Sequence, residues 1–286
     1  MDYVRAASIE DALVAARWPG AAFVAGGTNL VPDILFGRKK PGLAVDISRL
    51  RELRFIEERG GRLRIGALAT VTDLLESDRV RKAAPPLHES AVEFAGPLVR
   101  NRATVGGNLL DASPAADLAP PLLAQDGEAE LISVEGPRSL PLASFFLGYR
   151  QTAVRPGELL SAISLRPLGP GDRSAYQKLQ LRRAMAISVV SVAAALWMED
   201  GRCAEAGIGM GAVAPVPYRS WAAEAELRGR VVGETEIESA AAAAREEARP
   251  IDDVRASAQY RMRMCGVLVR RLLRRALGLS APPREL

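Results

Sequence analysis

Two short glycine motifs constrain this chain more than any other feature of its sequence. They are Ala25-Gly26-Gly27-Thr28-Asn29-Leu30 and Thr104-Val105-Gly106-Gly107-Asn108-Leu109. Glycine lacks a Cβ and tolerates positive φ, so a Gly-Gly pair lets the backbone approach a ligand closely and aim several N–H groups at one anion. The threonine and asparagine side chains add hydroxyl and amide groups that can bond phosphate oxygens. The motifs therefore favour a phosphate-bearing ligand.

Either motif taken alone is also compatible with a simple tight turn, because short glycine motifs are common. The repetition of one form, in which Gly-Gly is followed by an amide and a leucine, favours a shared ligand. Neither motif has the Gly-x-Gly-x-x-Gly spacing of a dinucleotide-binding Rossmann unit or the spacing of a P-loop. Neither contains Lys or Arg, so binding would depend on dipoles rather than on full charges.

Hydrophobic periodicity divides the 286 residues into three units and predicts an α+β architecture. We expect the units to cover residues 1–57, 58–174 and 175–286. The first is predicted to be a short βαββ unit, with a helix over 9–17 and strands over 21–24 and 43–47. The strand over 21–24 runs directly into the first glycine motif, which is therefore expected at a strand end.

The second and third units carry their own signals. Thr70 with Asp73 resembles a capping box that opens a helix over 71–84, and a further helix over 87–94 precedes the second glycine motif. Asp200-Gly201 between two apolar runs predicts a hairpin. Helices are expected over 236–248 and 256–279. The C-terminal unit is thus predicted to be a small antiparallel sheet backed by helices.

Composition argues against several classes of function. Cys203 and Cys265 are the only cysteines and lack a Cys-x-x-Cys spacing, which indicates a reducing compartment and no disulfide framework or metal centre. No signal peptide and no apolar run of roughly 20 residues is present, so we expect a cytoplasmic protein without a membrane span. Arginines crowd the last helix, but no nucleic-acid-binding motif accompanies them. The single histidine, His88, lacks partners at metal spacing and is expected to be structural.

The stretch from Val99 to Leu109, followed by Ser113-Pro114-Ala115-Ala116-Asp117, closely resembles the FAD-binding subunit of the molybdenum hydroxylases. That group includes the medium subunit of aerobic carbon monoxide dehydrogenases and the flavin domain of xanthine dehydrogenases. The resemblance runs nearly end to end, through the first glycine motif, Tyr176-Gln177-Lys178-Leu179 with Arg182-Arg183, and the segment from Asp252 to Arg261. It implies a two-subdomain FAD-binding fold of the PCMH type, followed by a small α+β domain.

The resemblance also implies which residues hold the phosphates. Val24 through Val31 would wrap the FAD pyrophosphate, and Thr104 through Asn108, including Gly106 and Gly107, would hold it from the other side. Asp117 matches an acidic position that contacts the sugar-phosphate portion of the cofactor. A helix cap is the alternative role for Asp117.

Three further residues match positions around the flavin ring. Phe94 matches an aromatic residue beside the flavin and Leu160 an apolar residue packed near the isoalloxazine, with ordinary core packing as the alternative for both. Lys178 matches a lysine whose charge would favour the anionic reduced flavin, and a surface charge is the alternative. The family often has an acidic residue shortly after the paired arginines, but Ala184-Met185-Ala186-Ile187 follows them here. This departure concerns the electron-acceptor side.

The implied function is electron transfer by a flavoprotein subunit. In the family, a molybdopterin subunit hydroxylates the substrate, a 2Fe-2S subunit passes electrons to FAD, and FAD delivers them to an external acceptor. The resemblance thus implies a large and a small partner subunit, assembled as a dimer of heterotrimers. Neither glycine motif contains His or Cys, so the FAD is expected to be non-covalent, and no side chain is assigned a catalytic role. The alternatives are a stand-alone FAD-dependent oxidoreductase and a scaffold that has lost its flavin.

Overall fold

The computed structural model describes residues 1–279 and confirms the α+β class. The first unit is a three-stranded parallel sheet in the order β1-β3-β2. Its elements are β1 (Asp2–Arg5), α1 (Ile9–Ala15), β2 (Ala21–Val24), α2 (Leu30–Leu35) and β3 (Leu43–Asp46). The strand before the first glycine motif is confirmed, but the βαββ prediction missed α2. Six residues are too few for a helical period to show in the sequence.

The second unit is built on a five-stranded antiparallel sheet in the order β4-β5-β10-β6-β7, with a separate β8–β9 pair. Its strands are β4 (Ile56–Arg59), β5 (Arg62–Gly66), β6 (Glu128–Ser133), β7 (Gly136–Pro141), β8 (Phe146–Gly148), β9 (Gln151–Thr152) and β10 (Leu159–Leu165). Its helices are α3 (Val71–Glu76), α4 (Asp78–Ala83), α5 (Pro85–Glu93), α6 (Pro97–Arg100), α7 (Val105–Leu110) and α8 (Ala119–Ala124). Short 3₁₀ turns occupy Arg51–Leu53 and Leu142–Ser144.

The helix predicted over residues 71–84 is two helices, α3 and α4. The capping box of Thr70 and Asp73 is present at the start of α3. Ser77 has extended backbone angles and its side chain accepts a hydrogen bond from the N–H of Val80, so it caps a new helix. Serine side chains compete with the helix for backbone donors, which explains the break inside an otherwise periodic stretch.

The third unit is a four-stranded antiparallel sheet in the order β11-β12-β13-β14, backed by helices as predicted. Its elements are β11 (Arg173–Leu179), β12 (Val190–Glu199), β13 (Arg202–Gly211), β14 (Tyr218–Arg219), α9 (Trp221–Ala225), α10 (Glu234–Glu247) and α11 (Ala258–Ala276). The predicted hairpin joins β12 to β13, and both Asp200 and Gly201 have the positive φ that such a turn requires.

The second unit packs directly on the first and on the third. Leu68 and Leu159 of the second unit are buried in the core of the first. Strand β13 lies so close to α8 that a Cβ at Gly207 would stand 1.8 Å from the carbonyl oxygen of Ala124. The expected boundaries at 57/58 and 174/175 fall within β4 and β11, so we propose boundaries just before Ile56 and Arg173, where the second and third sheets begin. Residues 280–286 of the expected third unit lie outside the described residues.

Candidate flavin site

Both glycine motifs line one cleft between the first and second units, with a cavity volume of about 470 Å³. This volume lies within the range of small-molecule and cofactor sites. Twelve of the sixteen residues predicted for the site line this cleft: Ala25, Gly26, Gly27, Thr28, Asn29, Leu30, Phe94, Thr104, Gly106, Gly107, Asn108 and Leu160. The fold therefore brings together residues that are more than 130 positions apart in the sequence.

The first glycine motif offers free backbone donors. Within residues 1–279, the N–H groups of Gly26, Gly27, Thr28 and Asn29 have no protein acceptor. Gly27 has φ of +72°, which glycine adopts without strain. Gly26 is required for another reason, since a Cβ there would lie 1.7 Å from the carbonyl oxygen of Arg102 in the second unit. Because these donors lie where β2 gives way to α2, they are suited to an anionic group.

The second glycine motif is not equivalent to the first. It forms the first turn of α7, and its amides already have acceptors: Gly106 N–H bonds Ala67 O at 2.9 Å, Gly107 N–H bonds the Thr104 hydroxyl at 3.1 Å, and Asn108 N–H bonds Thr104 O at 3.0 Å. The prediction that both motifs supply an anion-binding nest is therefore wrong for this one. The Gly106 donor is used by the turn after β5, and the Gly107 and Asn108 donors are used by Thr104 at the start of α7.

The second motif presents the side chains of Thr104 and Asn108 and two glycines without a Cβ to the cleft. The Asn108 amide oxygen is buried and has no hydrogen-bond partner among the described residues. A buried polar atom without a partner is costly, so such an atom in a cleft indicates a ligand group that would satisfy it. A Cβ at Gly107 would lie 2.8 Å from the Thr104 hydroxyl oxygen. The free amides opposite and this unpaired amide oxygen fit a polyhydroxylated diphosphate such as FAD.

Four predicted residues do not line the cleft. Val24 ends β2 just before the first motif, and Val31 lies in α2 with its side chain partly exposed. Asp117 and Lys178 form a buried ion pair of 2.7 Å between the second and third units. The Ser188 hydroxyl donates to the other Asp117 oxygen at 2.6 Å. These four remain proposals as cofactor ligands.

The Asp117–Lys178 pair changes the electrostatic argument for Lys178. The Lys178 side chain is fully buried and its ammonium group faces a carboxylate, so the pair presents little net charge. Burial raises the pKa of the nearby Glu93 carboxyl, an effect that the Lys178 charge opposes. Any influence of Lys178 on a flavin would act through this hydrogen-bonded cluster.

Phe94 lies in the turn between α5 and α6, whose backbone geometry the sequence did not predict. Ala95 has φ of +34°, which is unusual for a residue with a Cβ. The Arg100 guanidinium holds the turn by donating to the carbonyl oxygens of Val92, Phe94 and Ala95. Met185, from the loop after the paired arginines, packs against Gly96 on the same turn. The role of Arg100 could not be read from its spacing, because it depends on backbone geometry.

Two charged residues that were not predicted also line the cleft. They are Lys39, from the loop after α2, and Asp111, which follows α7. Lys39 brings a full positive charge to a site whose motifs contain none. The adjacent Lys39-Lys40 pair is the only sequence signal that could have indicated this.

The environments of the single histidine and of the two cysteines indicate structural roles. His88 Nε2 lies 3.2 Å from the carbonyl oxygen of Leu75. Both cysteines are buried and free, and burial raises the pKa of the Cys265 thiol to about 12. Within residues 1–279 there is no cluster of His, Cys, Asp and Glu suited to a metal ion. Likewise, no helix in that range has the length and apolarity needed to cross a membrane.

Fold and site together define a two-unit cofactor-binding protein with a third, antiparallel unit. Residues 1–167 match the family described as the FAD binding domain in molybdopterin dehydrogenase. Residues 174–276 match the CO dehydrogenase flavoprotein C-terminal domain. The chain therefore belongs to the FAD-binding subunits of the molybdopterin dehydrogenases, and the expected family, cofactor and oxidoreductase class are confirmed.

Relatives match over almost the whole chain. The carbon monoxide dehydrogenase medium chain of Afipia carboxidovorans is 35% identical, with 96% of each chain covered. The 6-hydroxypseudooxynicotine dehydrogenase complex subunit alpha of Paenarthrobacter nicotinovorans is 33% identical over 99% of this chain and 97% of its own. The structure of carbon monoxide dehydrogenase from Hydrogenophaga pseudoflava matches with a TM-score of 0.94 at 31% identity, covering 98% of both chains.

Proposed function

We propose that this chain carries one non-covalent FAD in the cleft and acts as the electron-transfer subunit of a molybdenum hydroxylase. Its FAD accepts electrons from 2Fe-2S clusters on a small partner subunit and delivers them to an external acceptor. A large molybdopterin subunit carries out the substrate chemistry. The observation that carries the proposal is the set of free N–H groups at Gly26 to Asn29, opposite the unpaired amide oxygen of Asn108.

The residues of this chain bind and orient the cofactor. Backbone donors of the first motif would hold the pyrophosphate, assisted by Thr28 and Lys39. Asn108 and Thr104 would bond polar groups of FAD from the other side. Phe94 supplies apolar surface for a ring, and Leu160 lines the same cleft although it is only 1% exposed. Bound FAD supplies the redox chemistry, since the flavin takes up single electrons and stores them in pairs, and the protein supplies orientation and electrostatics.

We further propose a cytoplasmic complex that assembles as a dimer of heterotrimers. Support for a multi-subunit complex comes from the relatives, which are named as a medium chain or as a subunit of a dehydrogenase complex. Support also comes from the two thiols, which are free and buried as expected in a reducing compartment.

Copurification tests this function. The chain should be expressed with its neighbouring genes, and the tagged complex should contain iron, molybdenum and FAD. Flavin absorbance at about 450 nm should bleach when substrate is added to the complex, but not when it is added to the isolated yellow chain. Substrate oxidation by the isolated chain would instead support the stand-alone oxidoreductase. A chain that cannot take up FAD would support the scaffold.

A further inference from the structure

Arg150 makes hydrogen bonds to α2 and to the segment that follows α7, the two helices next to the glycine motifs. Its backbone N–H donates to the carbonyl oxygen of Ala112, just past the end of α7, at 3.1 Å. Its guanidinium Nη1 donates to Asp33 Oδ2 in α2 at 2.8 Å. Since α7 begins with the second motif and α2 begins at the end of the first, one residue ties the two sides of the cleft together.

The Asp33 end of this contact is fixed in the protein. The Asp33 side chain is only 5% exposed, and its second oxygen lies 3.5 Å from the Arg38 guanidinium. Its backbone carbonyl accepts the N–H groups of Arg38 and Lys39, which end the α2 segment. Asp33 therefore couples the position of α2 to the loop that brings Lys39 to the cleft.

Charge supports the contact over the whole neutral range. Hydrogen bonding from Arg150 holds the pKa of the Asp33 carboxyl below its usual value, so the carboxylate stays ionised. Arg150 itself has φ of +56°, and the Asp111 carboxylate of the cleft adds a further attraction for its guanidinium. A residue with a Cβ keeps such a backbone conformation only where its surroundings enforce it.

We propose that Arg150 is a positioning residue that sets the distance between the two glycine motifs and thereby the affinity for FAD. It touches no part of the predicted ligand site, since neither Arg150 nor Asp33 lines the cleft. It acts instead through α2 and α7. This inference rests on the proposed function, because it concerns FAD held between those motifs.

The chain offers a matched control in the ion pair of Arg138 and Glu158. Its side chains are 30% and 8% exposed, compared with 36% and 5% for Arg150 and Asp33. Arg138 lies in β7 and Glu158 just before β10, so this pair lies wholly within the second unit. Loss of either arginine should destabilise the fold to a similar extent, but of the two only Arg150 joins the second unit to the first.

The test compares Arg150→Gln, Arg150→Lys and Arg138→Gln in the full chain. Each apo protein is titrated with FAD, and FAD release and the melting temperature of the apo form are measured. We expect Arg150→Gln to weaken FAD binding roughly 10-fold or more, through faster release, which is the usual scale of coupling between distant groups. Arg138→Gln should stay within about two-fold of the unchanged chain at a similar loss of melting temperature, and Arg150→Lys should fall between them.

The outcomes separate the two proposals. If the unchanged chain binds FAD and Arg150→Gln binds it equally well, or Arg138→Gln is impaired to the same degree, the positioning role is refuted while the proposed function stands. If the unchanged chain binds no FAD, both are refuted. Should Arg150→Gln fail to fold, the Arg150→Lys variant decides, because it keeps the charge and the Cβ and is expected to retain measurable but weakened binding.

Discussion

At the scale of single residues, the glycines of the two motifs are needed for different reasons. Gly27 needs its positive φ, whereas Gly26 and Gly106 allow close contact with backbone or side-chain atoms of neighbouring elements. The sequence shows only that two similar motifs exist. Which amides stay free depends on tertiary hydrogen bonds, such as that from Gly106 to Ala67.

Replacing Gly26 by alanine should abolish FAD retention and destabilise the contact between the first two units. The added Cβ would stand 1.7 Å from the Arg102 carbonyl oxygen, and backbone atoms cannot yield as a flexible side chain can. Gly171→Ala is the control, because a Cβ there meets nothing within 4 Å. Bound flavin per chain and melting temperature measure both effects. Full flavin content in Gly26→Ala would show that the two units do not need this contact.

The Lys178–Asp117 pair predicts a non-additive stability effect. Lys178→Met should lower the free energy of unfolding by about 3–5 kcal/mol, because it leaves a buried carboxylate without its partner. The double variant Lys178→Met, Asp117→Leu should recover much of that loss. Urea unfolding of Lys178→Met, of Asp117→Leu and of the double variant measures the coupling. If the stability loss of the double variant equals the sum of the losses of the two single variants, the two groups do not interact.

At the scale of elements, features encoded by neighbouring residues were predicted correctly, whereas features that depend on tertiary contacts were not. The Asp200-Gly201 hairpin and the Thr70 capping box are encoded by neighbouring residues and are present. The break at Ser77 and the short helix α2 were not predicted because six-residue helices make fewer than two turns, too few to show a helical period. Residues that line the cleft were mostly predicted through the family resemblance, whereas Lys39 reaches the cleft, and Arg150 reaches Asp33 in α2, only through the tertiary fold.

The end of β3 predicts a measurable pH dependence. Burial raises the pKa of Asp46, but hydrogen bonds from Tyr3, Ser48 and Arg5 outweigh it and lower that pKa to about 2. A lowered pKa in the folded state contributes stability that is present above the unfolded-state value and is lost as the pH falls towards 2. Asp46→Asn should therefore lose about 2 kcal/mol at pH 7.

The difference between Asp46→Asn and the unchanged chain should shrink as the pH falls from about 4 to about 2. Denaturant unfolding at several pH values measures it. Asp78→Asn is the control, because its ion pair with Arg81 is exposed and such pairs contribute less than about 1 kcal/mol. A pH-independent difference for Asp46→Asn would refute the assigned hydrogen-bond network.

At the scale of the whole molecule, the cleft depends on how the units pack. The first and second units share a core through Leu68 and Leu159, and the third docks on α8 through glycines of β13. The third unit also supplies Lys178 and Met185 beside the second. Sequence periodicity separates the three units but contains no information on their mutual contacts, which arise from residues far apart in the chain.

The flavin content of the purified chain tests the proposed non-covalent FAD site most directly. After denaturation, the released flavin should be FAD, in a ratio close to one per chain, and none should stay attached to the polypeptide. The flavin content of Gly27→Ala should be clearly lower than that of the unchanged chain. Positive φ at a residue with a Cβ costs roughly 1–2 kcal/mol, and Gly27 lies in the motif with the free donors. A colourless chain that cannot be reconstituted with FAD, or a flavin that remains covalently bound, would contradict the account.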